Sequence, residues 1–243
     1  MRVPERPTFD DDATKAIYQY VERHGTAARH RVRDAASVPV GHFEDALEDL
    51  KTKGYLEEDG GTITVALDVG SIEEYEAEGE TFTIRPARQD DFESVVEAIR
   101  DVTDDETYVV AETVAEQLLY DESVSRHNTV ESRVFFVATL DGGVVGWTHL
   151  DLPHGEKLRE TAQLTVGVRE KYRNRGLGSR LLTRGVEWAD ANGYRKLYNS
   201  VPASNDVALA FLEDHGWHTE GIRKNHYTID GEHVDEVLMA RTF

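Results

Sequence analysis

VREKYRNRGLGSRLL, residues 168–182, sets a basic turn with two glycines into a chain that carries 47 acidic against 27 basic residues. The run LTVGV before it reads as a strand and SRLLTRGVEWADANG after it as a helix, so the turn joins a strand to a helix. The first N–H groups of a helix have no partner within it, and with the helix dipole they form an anion site. Glycines at 176 and 178 let a phosphate reach backbone that a Cβ would obstruct. Arg173 and Arg175 add positive charge beside it, so the expected guest is a pyrophosphate. A Walker-type loop would end in Gly-Lys-Ser/Thr, where this chain has Gly178-Ser179-Arg180. A dinucleotide fingerprint would want a third glycine where Leu181 stands. A plain capped helix with scattered arginines is the remaining alternative.

Around this turn, residues 81–243 alternate strands and helices. TFTIRPA is a strand, and DDFESVVEAIRDV is a helix capped by Asp90 or Asp91 with Phe92, Val95, Val96 and Ile99 inward. A second helix covers Glu112 to Tyr120. SRVFFVATLDGGVVGWTHLDL is a hairpin turning at Asp-Gly-Gly, and ETAQLTVGV, residues 160–168, is the strand that enters the basic turn. KLYNSV is a further strand, NDVALAFLEDH a helix and HYTIDGEHVDEVLMART a closing hairpin. The expected fold class is α/β, a mixed sheet with helices around it.

Arg173-Asn174-Arg175-Gly176-Leu177-Gly178 resembles the coenzyme A loop of the GCN5-related N-acetyltransferase (GNAT) superfamily, Arg/Gln-x-x-Gly-x-Gly/Ala after a strand. A second motif of that family, Asn-x-x-Ala-x-x-aromatic, matches Asn205 to Phe211 and is followed by Gly216-Trp217. The resemblance covers residues 81–243 and implies an N-acetyltransferase, an acyl-CoA acyltransferase moving an acetyl group from acetyl-CoA to a primary amine of a protein or small molecule by direct attack. It further implies that backbone groups of Val166 and Val168 pair with the pantetheine arm. N–H groups of Arg173, Asn174, Arg175, Gly176, Leu177, Gly178 and Ser179 would cradle the pyrophosphate. Asn205 would bond or place the pantetheine, and Phe211 would pack under it or fill the core.

An amine attacks a thioester only when neutral, so a base or a water chain to one has to take its proton. Glu160, at the start of the strand leading to the loop, is the first candidate, because a carboxylate at that place serves as base in some members, ribosomal-protein N-terminal acetyltransferases among them. His149 and Asp151, with Trp147 on the same face of the neighbouring strand, come next. A backbone N–H near Val168 would meet the oxyanion. Many members carry a tyrosine seven residues after the motif asparagine to protonate the departing thiolate; here that position is Leu212, which leaves Tyr198, Tyr227 or unassisted departure. Glu213, Asp214, His215 and His218 lie close in sequence but across a helix end and turn, so they are not expected to converge on a metal.

Residues 8–67 carry three helices, DATKAIYQYVERHG, Ala27 to Ala36 and GHFEDALEDLKTKG, and then YLEEDGGTITVAL as a small hairpin. This order resembles a winged helix-turn-helix domain. A DNA-reading third helix needs cationic or amide side chains near its start, where this one has His42, Glu44, Asp45, Glu48 and Asp49. Basic groups lie instead at Arg29, His30, Arg31, Arg33, Lys51 and Lys53, so DNA contact through residues 27–53 stands beside two alternatives, dimerisation and packing against the second domain. It also leaves open a second function, an acyl-CoA-sensing transcriptional regulator with weak or no catalysis. Residues 68–80, DVGSIEEYEAEGE, read as an acidic linker. A formal charge of −20, with 20 arginines but 7 lysines, is the balance expected in the salt-rich cytoplasm of a haloarchaeon, the alternative being an ordinary acidic protein kept soluble by its charge. The absence of cysteine excludes disulfides and thiolate chemistry. No run approaches the ~18 apolar residues of a membrane span, and MRVPERPTFDDD has no apolar signal core, so a cytoplasmic location is expected.

Overall fold

Asp11 starts the first helix of the chain by accepting the backbone N–H of Thr14 at 2.7 Å, a side-chain cap of the kind its position suggested. The computed structural model describes residues 7–66, 70–103 and 108–243. Helix α1 (Asp12–His24) leads through β1 (Thr26–Ala28) to α2 (Arg29–Ala36) and α3 (Val40–Thr52), then to β2 (Leu56–Asp59) and β3 (Thr62–Val65). The three strands pair antiparallel in the order β1-β3-β2. Ile17, Tyr18, Val21, Val32, Phe43, Leu47 and Leu50 close the core between helices and sheet.

The rest of the described chain builds one larger sheet. Its elements are β4 (Glu73–Ala77), β5 (Glu80–Pro86), α4 (Phe92–Thr103), α5 (Val109–Asp121), β6 (Arg126–His127), β7 (Glu131–Leu140) and β8 (Gly143–Pro153). After them come β9 (Thr161–Val168), α6 (Leu177–Ala191), β10 (Lys196–Pro202), α7 (Asp206–Asp214), β11 (His218–Ile229) and β12 (Glu232–Thr242). The strand order is β11-β12-β10-β9-β8-β7-β5-β4, with β6 beside β7. Every pairing is antiparallel except β9 with β10, so the sheet is mixed and the fold is α/β as expected.

Both faces are covered. Leu150, Leu164, Leu182, Val186 and Leu197 pack on the α6 side, and Val95, Ile99, Leu118, Phe135 and Trp147 on the α4–α5 side. Burying each such side chain is worth about 1.5–3 kcal/mol against leaving it in water. A Cβ on Gly185 would stand 2.8 Å from the Leu164 side chain, so its absence lets α6 lie close on β9.

Two expectations need correction. The acidic stretch 68–80 is not a free linker: Glu73–Ala77 pair with Glu80–Ile84 as an added edge strand, and Leu67, Asp68 and Val69 lie outside the described residues. Its carboxylates conceal an alternation that brings Tyr75 and Ala77 against Phe82 and Leu177. The closing hairpin is also longer than HYTIDGEHVDEVLMART, because β11 already begins at His218. Its residues are mostly exposed and show no apolar alternation; pairing with β12 holds it.

Candidate active site

Strands β9 and β10 run parallel and part company. Their pairing covers Thr161↔Lys196, Ala162↔Leu197 and Gln163↔Tyr198 and then ends. Beyond that rung Thr165 to Val168 line one wall of a cleft of about 290 Å³ and Asn199 to Pro202 the other. Tyr108, Val109, Val110 and Ala111 close it on one side, and Val207, Ala208, Phe211 and Leu212 of α7 on the other. Alternate residues of a strand turn their N–H and C=O groups to opposite neighbours. The Thr165 carbonyl accepts the Thr148 hydroxyl on β8 at 3.0 Å, so the backbone groups of Val166 face the cleft. Val168 follows the same alternation, although its carbonyl already accepts from Arg173 Nε at 3.0 Å.

The open end of the cleft is the glycine turn. Gly176 caps α6 with φ 80° and no side-chain bond. The Arg173 N–H is taken by the Glu170 carbonyl at 3.0 Å, which removes it from the expected cradle. Among the described residues, those of Asn174 to Ser179 donate to no protein acceptor. Asn174, Gly176, Gly178, Ser179 and the Arg173 side chain line the cleft. A Cβ on Gly178 would meet Phe211 at 3.6 Å, ordinary contact inside the protein, so the room it leaves is room in the cleft. Such donors suit an extended anionic molecule with its charged group at the mouth and its other end at the closed rung.

Several expected site residues lie elsewhere. Arg175 turns away from the cleft and binds Glu78 at 3.1 Å and also Glu80. Leu177 is buried against Phe82 and Leu181, and only its N–H remains for the cradle. Asn205 lines the cleft, but its Oδ1 accepts the Ala208 N–H at 3.0 Å, so it also caps α7. Phe211 both lines the cleft and packs on the core, which joins its two expected roles.

Glu160 lies apart from the cleft. It precedes the closed rung, at the opposite end of β9 from the loop, and its side chain is 56% exposed with Arg195 Nε at 3.9 Å. His149 is buried. It lies behind Thr165, with Nδ1 3.4 Å from the Thr165 hydroxyl and its ring against Phe135. Burial, with the Arg133 charge adding, pushes its pKa from 6.5 down to about 3, so the imidazole is neutral and a weak proton acceptor.

Directly opposite residues share a sheet face, and Arg133, Asp151, Gln163 and Tyr198 form one row across four strands. That row is the closed rung, and it faces the α4–α5 side. Burial raises the Asp151 pKa, Glu131 raises it further, and Arg133 works against both. Burial and the Asp151 charge raise that of Tyr198. In the next row Thr165 and Ser200 face each other across the parted strands, and Ser200 bonds the buried Glu236. Tyr227 donates to Glu236 at 3.0 Å and is committed there. Thr165, Ser200 and Tyr108 were not foreseen; the only signal for the first two was their place just past the rung where the strands separate. His215 bonds the Phe211 carbonyl at 2.7 Å, and no group of three His, Asp or Glu able to hold a metal occurs among the described residues.

A mixed sheet flanked by helices, with a turn of unpartnered backbone N–H groups at the mouth of a cleft between two parting parallel strands, defines the class. The chain belongs to the Acetyltransferase (GNAT) family, whose profile matches residues 96–217, half of its length. The L-amino acid N-acetyltransferase AaaT of Escherichia coli is 31% identical over 107 residues, 43% of this chain and 65% of that one. The [ribosomal protein bS18]-alanine N-acetyltransferase of Salmonella typhimurium is 32% identical over 83 residues, 34% of this chain and 56% of that one. The chain thus spans between 56% and 65% of the length of these relatives. A GNAT-family acetyltransferase from Streptococcus pneumoniae shares the fold, with a TM-score of 0.54 at 24% identity over 67% of this chain and 99% of that one.

Proposed function

We propose that the protein is an N-acetyltransferase that takes the acetyl group of acetyl-CoA to a primary amine. The observation that carries this reading is the cleft itself: parting strands with the unpartnered N–H groups of Asn174 to Ser179 at its mouth. The pyrophosphate sits on those groups, the pantetheine arm runs along Val166, and the reacting end lies at the Gln163↔Tyr198 rung. The thioester supplies an activated acyl carbon. The residues at the rung supply orientation and proton transfer: Asp151 takes the amine proton through a water, and Tyr198 returns a proton to the departing sulfur, since Leu212 has none to give. A carboxylate with a raised pKa suits the first task better than the exposed Glu160.

One relative is named for an L-amino acid and another for an alanine of a ribosomal protein, and we read the acceptor here as an α-amine. Such an amine, near pKa ~8, needs less help to lose its proton than a lysine near ~10.4.

The three helices and small sheet at the N-terminus are read as a winged helix that packs on the larger domain. Tyr18 donates to the His127 carbonyl and Glu22 meets Arg126 at 3.3 Å, which supports packing. Arg29 is committed to Glu44 and Glu58 and Arg33 to Asp34, which weighs against DNA. No described helix is long and apolar enough to cross a membrane. Thiol release from acetyl-CoA with a panel of amines in molar KCl tests the proposal. Release that depends on amines, free amino acids and short peptides first, supports it; coenzyme A binding without turnover sinks the enzyme and leaves the acyl-CoA sensor.

A further inference from the structure

The β4–β5 hairpin is fastened to the glycine turn and to α6 at several points. The Tyr75 hydroxyl donates to the Arg175 carbonyl at 2.8 Å. The Arg180 guanidinium lies 4.1 Å from the centroid of the Tyr75 ring. A Cβ on Gly176 would stand 2.6 Å from the Tyr75 oxygen, so turn and tyrosine are in contact. Arg175 is bound by Glu78 and Glu80, and Arg184 on α6 binds Glu73 at 2.5 Å and the Ser71 carbonyl at 2.9 Å.

In a trans peptide unit the C=O and the following N–H point in opposite directions. Tying the Arg175 carbonyl outward to Tyr75 therefore aims the Gly176 N–H inward, to the side where Gly176 lines the cleft. Gly176, at φ 80°, is the residue with the most freedom to turn that peptide away.

We propose that Tyr75 is a positioning residue for the pyrophosphate turn, so that β4 sets the affinity for coenzyme A. The inference rests on the proposed function and adds to it a role for a segment that precedes the region matched by the family profile. It makes the strand between the two domains part of the cofactor-binding apparatus, although none of its own residues lines the cleft.

Calorimetric titration of the full chain with coenzyme A in molar KCl tests it. Tyr75→Phe keeps the ring under Arg180 and loses only the hydroxyl. It should weaken coenzyme A binding by about three- to tenfold, the effect of one hydrogen bond. The KM for acetyl-CoA should rise equally, with kcat and the acceptor KM unchanged and the melting midpoint within about 4 °C. Gly176→Ala should then cost less in the Tyr75→Phe background than in the wild type, because the oxygen facing the added methyl is gone. Equal affinities of Tyr75→Phe and wild type, or a fall in kcat alone, overturn the positioning role, as does strict additivity of the two substitutions. A wild type that gives no heat with coenzyme A overturns the proposed function, and this inference with it.

Discussion

The two ends of β9 make an instructive contrast. Its C-terminal end opens into a turn that lines the mouth of a cleft, and its N-terminal end follows Glu160, an exposed residue whose backbone carbonyl accepts the N–H groups of Arg195 and Lys196 just before the parallel ladder begins. The glutamate and the turn flank one strand of 8 residues, and both looked functional in the sequence. One lies in the site and the other does not, because the neighbouring strand leaves β9 only after Gln163. What a strand residue can reach depends on where its neighbour departs.

The largest expected effect sits on the rung between the two ends. Asp151→Asn should lower kcat by about a hundredfold, the typical worth of a positioned proton acceptor, while leaving coenzyme A affinity unchanged. Its loss should also remove an acidic limb of the kcat/KM profile that falls above the ordinary carboxylate range, in keeping with the raised pKa of Asp151. Glu160→Gln serves as the matched comparison and should leave both constants as they are. A large loss in Glu160→Gln with none in Asp151→Asn would reverse the contrast.

Gly178→Ala sharpens it at the open end. The added methyl makes only ordinary contact with Phe211 at 3.6 Å, and alanine suits a helix better than glycine, so the melting midpoint should hold or rise. Coenzyme A affinity should fall by about five- to hundredfold, the cost of about 1–3 kcal/mol for forcing a group into a filled space. Unchanged affinity would place the pyrophosphate elsewhere.

A smaller effect concerns stability. Unfolded, His149 takes a proton near pH 6.5; folded, only near about 3. Between those values the unfolded chain binds more protons, so stability present above 6.5 is lost as pH falls through that window. His149→Gln should therefore show a shallower decline of melting temperature with acidification, whatever its own midpoint. Smallest of all, Arg175→Gln should change coenzyme A affinity by less than about twofold, because its charge is already met by Glu78 and Glu80 near the surface.

What could be read in the sequence was local. The glycine turn, the strand before it, the helix after it and the second motif at Asn205 to Phe211 depend on residues within a few positions of one another. The acidic linker misled because its strand is recognisable only from its partner: Glu73, Glu74 and Glu76 hide the register that β5 imposes. Strand β11 is similar, with exposed residues ordered by β12. Arg175 was read as a phosphate ligand from its place in the motif, yet carboxylates about a hundred residues earlier in the chain capture it.

Amino-acid order alone determined what is on offer: a glycine turn between a strand and a helix, no thiol, a surplus of carboxylate, and an α/β alternation that closes a core. These follow from backbone geometry and composition, which act over one or two turns of chain. Tertiary structure decided which groups meet. Where β9 and β10 part, which carboxyl stands at that rung, and which tyrosine ties down the turn are all contacts across strands distant in sequence. Such contacts form only when burial of the whole sheet fixes the register, and no local preference encodes them.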